Sequence, residues 1–270
     1  MTDYKSLRVT QQDRIAHIQI NRPGKVNAMD SAFWTDIITA FQWVDTTDTI
    51  RVVVISGAGD HFSAGIDLSL LAQAAGRMGN DIGRNAEVIR GNILRLQDSF
   101  NAVDRCRKPV IAAIHGYCLG GAIDLISACD MRYSTADARF GIKEIDMGMA
   151  ADVGTLQRLP HLIGDGIMRE LAYTGRVFDG CEAERIGLVN RVHDNHQQLM
   201  ERVMVIASDI ASKSPLAIRG TKEMIRYARD HSVEDGLNYI ASWNAAMLQS
   251  EDLKVAMAAH MTKTTASFAD

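Results

Sequence analysis

The order of apolar and polar positions divides the chain into short strands alternating with helices, followed by a wholly helical tail. Residues 6–10 and 14–20 alternate, Ile15, His17 and Gln19 against Ala16, Ile18 and Ile20, which predicts a hairpin. NRPGK at 21–25 ends it with Pro and Gly. Asp30 or Ser31 can then cap a helix to about Val44, with Phe33, Ile37, Ala40, Phe41 and Val44 on one face. RVVVISG (51–57) and VIAAIHG (110–116) are continuous apolar runs, the pattern of strands covered on both faces. The first is followed by a loop, AGDHFSAGIDLS. Between the two runs, residues 85–105 carry a helical stripe of Val88, Ile89, Ile93, Leu96, Phe100 and Val103. GYCLGGAIDLISACD (116–130) reads as a glycine turn entering a short apolar helix, and 131–141 as strand, turn and short strand.

Strands alternating with helices place residues 1–195 in an α/β core. From 196 to 270 the pattern is helical, with helices predicted at about 196–212, 215–229, 232–249 and 251–262. Asp194 or Asn195 can cap the first. Ser214 can cap the second, with Pro215 at its first position, and SVED at 232–235 is a capping box for the third. No run of 18 apolar residues is present, so no membrane-spanning helix is expected. The first residues show neither an apolar secretory core nor an Arg-rich transit pattern, and the expected location is the cytoplasm.

Charge narrows the partners. Lys plus Arg number 29 and Asp plus Glu 33, a net charge of −4, which lacks the basic excess of a nucleic-acid binder. Lys213, Arg219, Lys222, Arg226 and Arg229 are interspersed with Glu223 and Asp230 and read as a solvated helix face. Cys106, Cys118, Cys129 and Cys181 form no CxxC pair and are read as reduced, buried small hydrophobes. His193 and His196 form an HxxH pair on a polar flank without an evident third ligand, so no metal site is predicted. His115 reads as a packed core residue.

Two features carry chemistry. Each β-branched strand is followed by a glycine-rich bend, GAGDHFSAGID and HGYCLGGAID. Small residues there let backbone N–H groups approach a ligand, and two N–H groups converging on one oxygen make an oxyanion hole, although glycines after strands are more often simple turns. The second feature is acids in apolar surroundings: Asp124 in AIDLI, Glu144 in GIKEID and Asp152 in GMAADVG. An Asp between Ile123 and Leu125 is costly if buried without a partner. Two of the acids also have a structural reading: an ion pair with Lys143 or a nearby Arg for Glu144, and a helix N-cap for Asp152. The residues alone leave both readings open.

The two glycine loops, the KPVIAAIHG–GGAIDL order and the later GTLQRLP segment resemble the crotonase (enoyl-CoA hydratase/isomerase) superfamily, over nearly the whole chain from NRPGKVNAMD at 21–30 onward. Within it, IKEIDMGMAADVGTLQRLP looks nearest to the Δ3,5-Δ2,4-dienoyl-CoA isomerases, as do 212–222 and 229–250. A typical hydratase has a Pro-Gly-Ala-Gly-Gly-type loop where this chain has Ala150 to Gly154, and Glu at the position of Asp124. The resemblance implies a spiral of ββα units with a C-terminal helical trimerisation region. It implies an acyl-CoA substrate, self-association as a trimer or hexamer, and no metal, nicotinamide or flavin cofactor. It assigns the oxyanion-hole N–H groups to Ile66 and Gly121, and catalysis to Asp124, Glu144 and Asp152. Asp152 would be the base at C2, Glu144 the acid at C6, and Asp124 the group that positions and tunes them. Coenzyme A is expected beside Lys25, Val26, Ala28 and Ala64, with Lys25 read equally as a phosphate contact or a solvated loop lysine. Ala122 stands where a third glycine is common. Three other readings exist: hydration or Δ3-Δ2 isomerisation on the same fold, which leaves Asp152 without a use; an RNA-binding relative, which would need a basic face; and a scaffold, which leaves all three acids unexplained.

Overall fold

The computed structural model describes residues 3–76 and 79–270. The hairpin forms as expected: β1 (Leu7–Gln12) pairs antiparallel with β2 (Ile15–Ile20). From there every connection in the main sheet is parallel. β2 pairs with β3 (Val52–Gly57), β3 with β4 (Val110–Ile114), β4 with β6 (Met131–Thr135), and β6 with β9 (Arg191–His193). A second, three-stranded sheet holds β5 (Tyr117–Leu119), β7 (Arg139–Gly141) and β8 (Phe178–Asp179).

The chain alternates between these two layers. β4 leads to β5 and then to helix α4 (Gly121–Ser127); β6 leads to β7 and, through helix α5 (Thr155–Arg158), to helix α6 (Asp165–Thr174). After β3, Ser63 bridges Cys118 of β5 in parallel, and helices α2 (Leu68–Ala75) and α3 (Ile82–Arg105) follow. Three successive strand–strand–helix turns therefore stack on one another, which is the expected spiral. β5, only three residues long, and α2 are elements that the apolar pattern did not mark.

Period-2 alternation explains why β3 and β4 are apolar throughout. Val53, Ile55, Val110, Ala112 and Ile114 face the main core, with Phe33, Ile37 and Phe41 of helix α1 (Ser31–Thr46) and Phe100 of α3. Val52, Val54, Ile111 and Ala113 face the other way, onto Leu199, Val203, Ala207 and Ala211 of helix α8 (His196–Ala211). The first helix of the tail thus shares a core with the sheet. Between β8 and β9 lies helix α7 (Gly180–Arg185), capped by Asp179.

The helix-end signals act as written in the sequence. Asp30 accepts from the Phe33 N–H, Asn195 from Gln198 and Ser214 from Ala217. Ser232 and Asp235 close the reciprocal capping box of helix α10 (Val233–Met247). Helices α9 (Pro215–Tyr227) and α11 (Glu251–Thr262) complete the tail. Ion pairs tie it to the body, Lys222 to Asp130 at 2.6 Å and Arg229 to Asp104 at 2.7 Å. Arg51, buried just before β3, donates to the carbonyls of Ala211, Phe268 and Ala269 and pairs with Asp270.

Two apolar faces differ from expectation. Of the α3 stripe only Phe100 and Val103 are buried, while Val88 is 64% exposed, because the N-terminal half of the helix runs beyond the body. α10 buries none of its residues, and Val233 is 80% exposed. Cys106, Cys118 and Cys129 are buried, but Cys181 is exposed: it follows Gly180 on the outward side of α7's first turn. His115 is buried, as predicted, and His196 stacks on it at 3.7 Å between ring centroids, so the second histidine of HxxH serves packing.

Leu199 is fully enclosed between α8 and the sheet. Leu199→Ala is expected to lower unfolding free energy in denaturant titration by roughly 2–5 kcal/mol. A change under about 0.5 kcal/mol, the level typical of surface positions, would show that α8 is not part of the cooperative core.

Candidate active site

The two glycine loops meet because the segment after β3 runs alongside β5. Ser63 N–H donates to Tyr117 O at 2.8 Å, and Leu119 N–H donates back to Ser63 O at 3.1 Å. This brings Gly65 and Ile66 against Leu119–Gly121. Gly65 sits at φ +85°, where a Cβ would lie 2.5 Å from the Leu119 carbonyl. Gly120 sits at φ +52° and ψ −123°, a conformation that favours glycine. Both glycines are therefore set by backbone geometry.

The resemblance assigns the oxyanion hole to the N–H groups of Ile66 and Gly121. Met29 and Ile66 form an isolated parallel bridge in which Met29 N–H bonds to Gly65 O and Asp67 N–H to Met29 O. That bridge uses the groups on either side of Ile66 and turns Ile66's own N–H away from Met29. Gly121 opens α4, so its N–H has no acceptor within the helix. The two groups are neighbours: a Cβ on Gly121 would lie 3.6 Å from the Ile66 nitrogen. The pair has the form of a two-donor oxyanion hole.

The acids converge on the same place from three elements. Asp124, in the first turn of α4, is 1% exposed, and its Oδ1 accepts from the Thr155 N–H at 2.6 Å. Glu144 follows β7, whose Gly141 carbonyl receives the Gly120 N–H at 2.9 Å. Its Oε1 lies 3.3 Å from where a Cβ on Gly120 would be, and its Oε2 is buried with no hydrogen-bond partner. Asp152 lies in the loop just before α5 and is exposed at the rim.

The structural alternatives for these acids fail on geometry. Lys143 pairs with Asp146 at 2.8 Å and leaves Glu144 alone. The N-cap of α5 is Gly154, so Asp152 caps nothing.

Burial governs their titration. Loss of hydration pushes Asp124 up to about 6, held back by the Thr155 hydrogen bonds and raised further by the nearby Asp152 charge. Glu144 is pushed up to about 7, first by burial and then by the charges of Asp124 and Asp152. Burial also raises Asp152. The three are thus close enough to titrate as a set.

The region assigned to coenzyme A is assembled too. The Ala64 N–H bonds to Val26 O at 2.9 Å, so the 25–29 and 63–67 segments lie side by side. Lys25 is exposed, while Val26, Ala28 and Ala64 are half-buried. The organising residue here is Asn27, which the sequence reading passed over. It is fully buried at φ +53°, and its amide donates to the carbonyls of Ala58 and His61. An Asn in a loop of Gly, Pro and Lys was the available signal, since Asn tolerates the left-handed region. Val26 shares that region at φ +53°, an unusual conformation for a β-branched residue.

Residues 10–270 match the enoyl-CoA hydratase/isomerase family. The chain belongs to this family. It is 48% identical to the human mitochondrial Δ(3,5)-Δ(2,4)-dienoyl-CoA isomerase over 253 residues, 93% of this chain and 77% of that protein. It is 45% identical to the peroxisomal Δ(3,5)-Δ(2,4)-dienoyl-CoA isomerase of Arabidopsis thaliana, across 100% of this chain and 99% of that one. Its fold is similar to the crystal structure of enoyl-CoA hydratase from Bacillus anthracis, with a TM-score of 0.89 and 30% identity over 98% of this chain and 99% of that one. The crotonase-like α/β architecture is thus shared. Among the described residues, no helix is long and apolar enough to cross a membrane.

Because Glu144 titrates near 7 in the folded chain against an ordinary 4.5, its ionisation opposes folding. The stability contributed by protonated Glu144 is fully present below about pH 4.5 and is lost as pH rises to about 7. Glu144→Gln removes that dependence. Its stability relative to wild type should therefore climb between these two pH values and level off above, read from melting temperatures. A pH-independent difference would contradict the raised pKa.

Proposed function

We propose that this chain converts a 3,5-dienoyl-CoA into the conjugated 2,4-dienoyl-CoA. The observation that carries the reading is the third acid: Asp152 stands beside Asp124 and Glu144 with no structural job of its own. A hydratase needs no such group, whereas moving a proton from one end of a dienoyl system to the other needs a base and an acid at separate places. The two relatives named as dienoyl-CoA isomerases support the same reaction.

In this mechanism the thioester oxygen sits between the Ile66 and Gly121 N–H groups. Asp152 removes a proton from C2, and the electron pair moves into the thioester to give an extended dienolate. The two N–H donors stabilise the oxygen as its charge grows. Glu144, protonated near neutral pH because burial holds it at about 7, delivers a proton to C6. The electrons return from the oxygen and leave the 2,4-diene. Protons and electrons balance without a hydride, metal or redox cofactor. Asp124, fixed by Thr155, adds its charge to the burial that raises Glu144.

The substrate is held as an acyl-CoA, with the nucleotide end beside Lys25, Val26, Ala28 and Ala64. Self-association as a trimer or hexamer is part of the same reading, supported by the uncovered apolar faces of α3 and α10. Light scattering should then give a mass of three or six chains. Replacing the exposed Leu237 by Asp should lower that mass. A monomer at micromolar concentration would remove this part.

The deciding experiment follows near-ultraviolet absorbance with a 3,5-dienoyl-CoA and, separately, a 2-enoyl-CoA. Growth of the conjugated dienoyl thioester band is expected, and Asp152→Asn and Glu144→Gln should each slow it by about 10²–10⁴-fold. Loss of enoyl absorbance without dienoyl isomerisation would make the chain a hydratase. Wild-type rates in both variants would sink the acid–base assignment.

A further inference from the structure

Asp152 lies in a loop of irregular backbone, yet a proton-transfer base must be held within a fraction of an ångström. The 149–154 stretch belongs to no helix or strand. Its carbonyls are gripped by side chains instead. Gln97 of α3 donates its amide to the Asp152 carbonyl at 2.7 Å. Arg158 of α5 reaches back under the loop to the Val153 carbonyl at 3.4 Å, and its other guanidinium nitrogen bonds to Asn101 of α3 at 2.7 Å. Gly154, at φ +132°, makes room for this: a Cβ there would lie 1.8 Å from the Arg158 guanidinium. Thr155, the next residue, is tied to Asp124.

These contacts form one chain of hydrogen bonds. Gln97 and Asn101 are four apart on α3, so they share one face of that helix. The helix itself is anchored on its other side: Ser99 donates to the Trp34 carbonyl of α1 at 3.0 Å, and Phe100 is buried in the core. We infer that Gln97 of α3, assisted by Asn101 through Arg158, is a positioning residue that aims Asp152 at the substrate. This inference rests on the proposed isomerase reading for its catalytic consequence, but not for its geometry.

A cavity of about 650 Å³ lies on the same side of the loop, lined in part by Gln97, Asn101, Gly154 and Arg158. None of the three acids lines it. The flanking Ala151 and Val153 are buried in the main core, and the Gln97 and Arg158 hydrogen bonds add to that packing by fixing the Asp152 and Val153 carbonyls.

The test uses Gln97→Leu, which removes the donor at a half-buried position and leaves the Phe100 and Val103 anchors of α3 intact. Two readouts are taken on the full-length protein. Hydrogen–deuterium exchange needs no substrate and should show amides 150–155 exchanging at least about tenfold faster, with the rest of the chain unchanged. Steady-state kinetics with a 3,5-dienoyl-CoA should show kcat down by about 10- to 100-fold with KM within about twofold. The loss should vanish in an Asp152→Asn background, because a residue acting through Asp152 has nothing left to position. A merely structural role would give the same penalty in both backgrounds.

Unchanged exchange in the loop overturns the inference whatever the reaction. Faster exchange with unchanged kcat, or an equal loss in the Asp152→Asn background, overturns it as well. A wild-type enzyme inactive on the dienoyl-CoA sinks the isomerase reading and this catalytic role with it, and that outcome is told apart from the others by the wild-type assay alone.

Discussion

Three carboxyl groups held together repel one another once ionised, and each is harder to ionise where water is scarce. The hydrogen bond from the Thr155 N–H to Asp124 makes that cluster tenable. It offsets part of the burial cost of a carboxyl that is 1% exposed, so Asp124 rises only to about 6. It also joins α4, whose Gly121 N–H is the second donor of the proposed oxyanion hole, to the loop that carries Asp152. Without that bond the buried acid would lose its donor and the catalytic loop its fixed end. The strut from α3 matters for the same reason, since it holds the other end of the segment.

The rest of the fold serves to bring these parts together. The spiral places the end of each inner strand beside the next turn, so Gly65, Gly120 and Gly141 come to adjoin although they are far apart in sequence. Close approach of backbone to backbone is affordable only where no Cβ intervenes, as at Gly65. The covered sheet supplies the rigidity. With the main core on one face and α8 on the other, β3 and β4 have little freedom to shift the loops at their ends.

Much of this was legible in the sequence, for identifiable reasons. Helices with strong caps, such as those begun by Asp30, Ser214 and Ser232, follow from local chemistry and formed where expected. Continuous β-branched runs marked the buried strands. β5 escaped because three residues between glycines carry no period, and its strand character comes from pairing with β7 and with Ser63. The α3 stripe shows a different limit. Amphipathicity records that a face is apolar and not what covers it, and half of that face is uncovered in a single chain. The acids stood out by their apolar surroundings, and the resemblance supplied the roles that the residues alone left open. Gln97 and Arg158 escaped because a polar residue that grips a distant carbonyl leaves no mark in its own neighbourhood.

The different surroundings of the acids also bear on the direction of proton flow. A base must be ionised at the pH where its partner acid is protonated, and two identical carboxyls in identical sites could not satisfy both. Here the environments differ. Glu144 is enclosed over Gly120, has an oxygen without a protein partner and titrates at about 7. Asp152 is the more exposed of the two, although burial raises it as well. In the proposed mechanism, uptake of the C2 proton by Asp152 removes its charge from beside Glu144, and the electrostatic pressure that keeps Glu144 protonated falls. Proton uptake at one end therefore makes release at the other easier. Coupling of this kind is what a transfer between two ends of a conjugated chain requires, and it needs the acids close enough for each charge to be felt by the next.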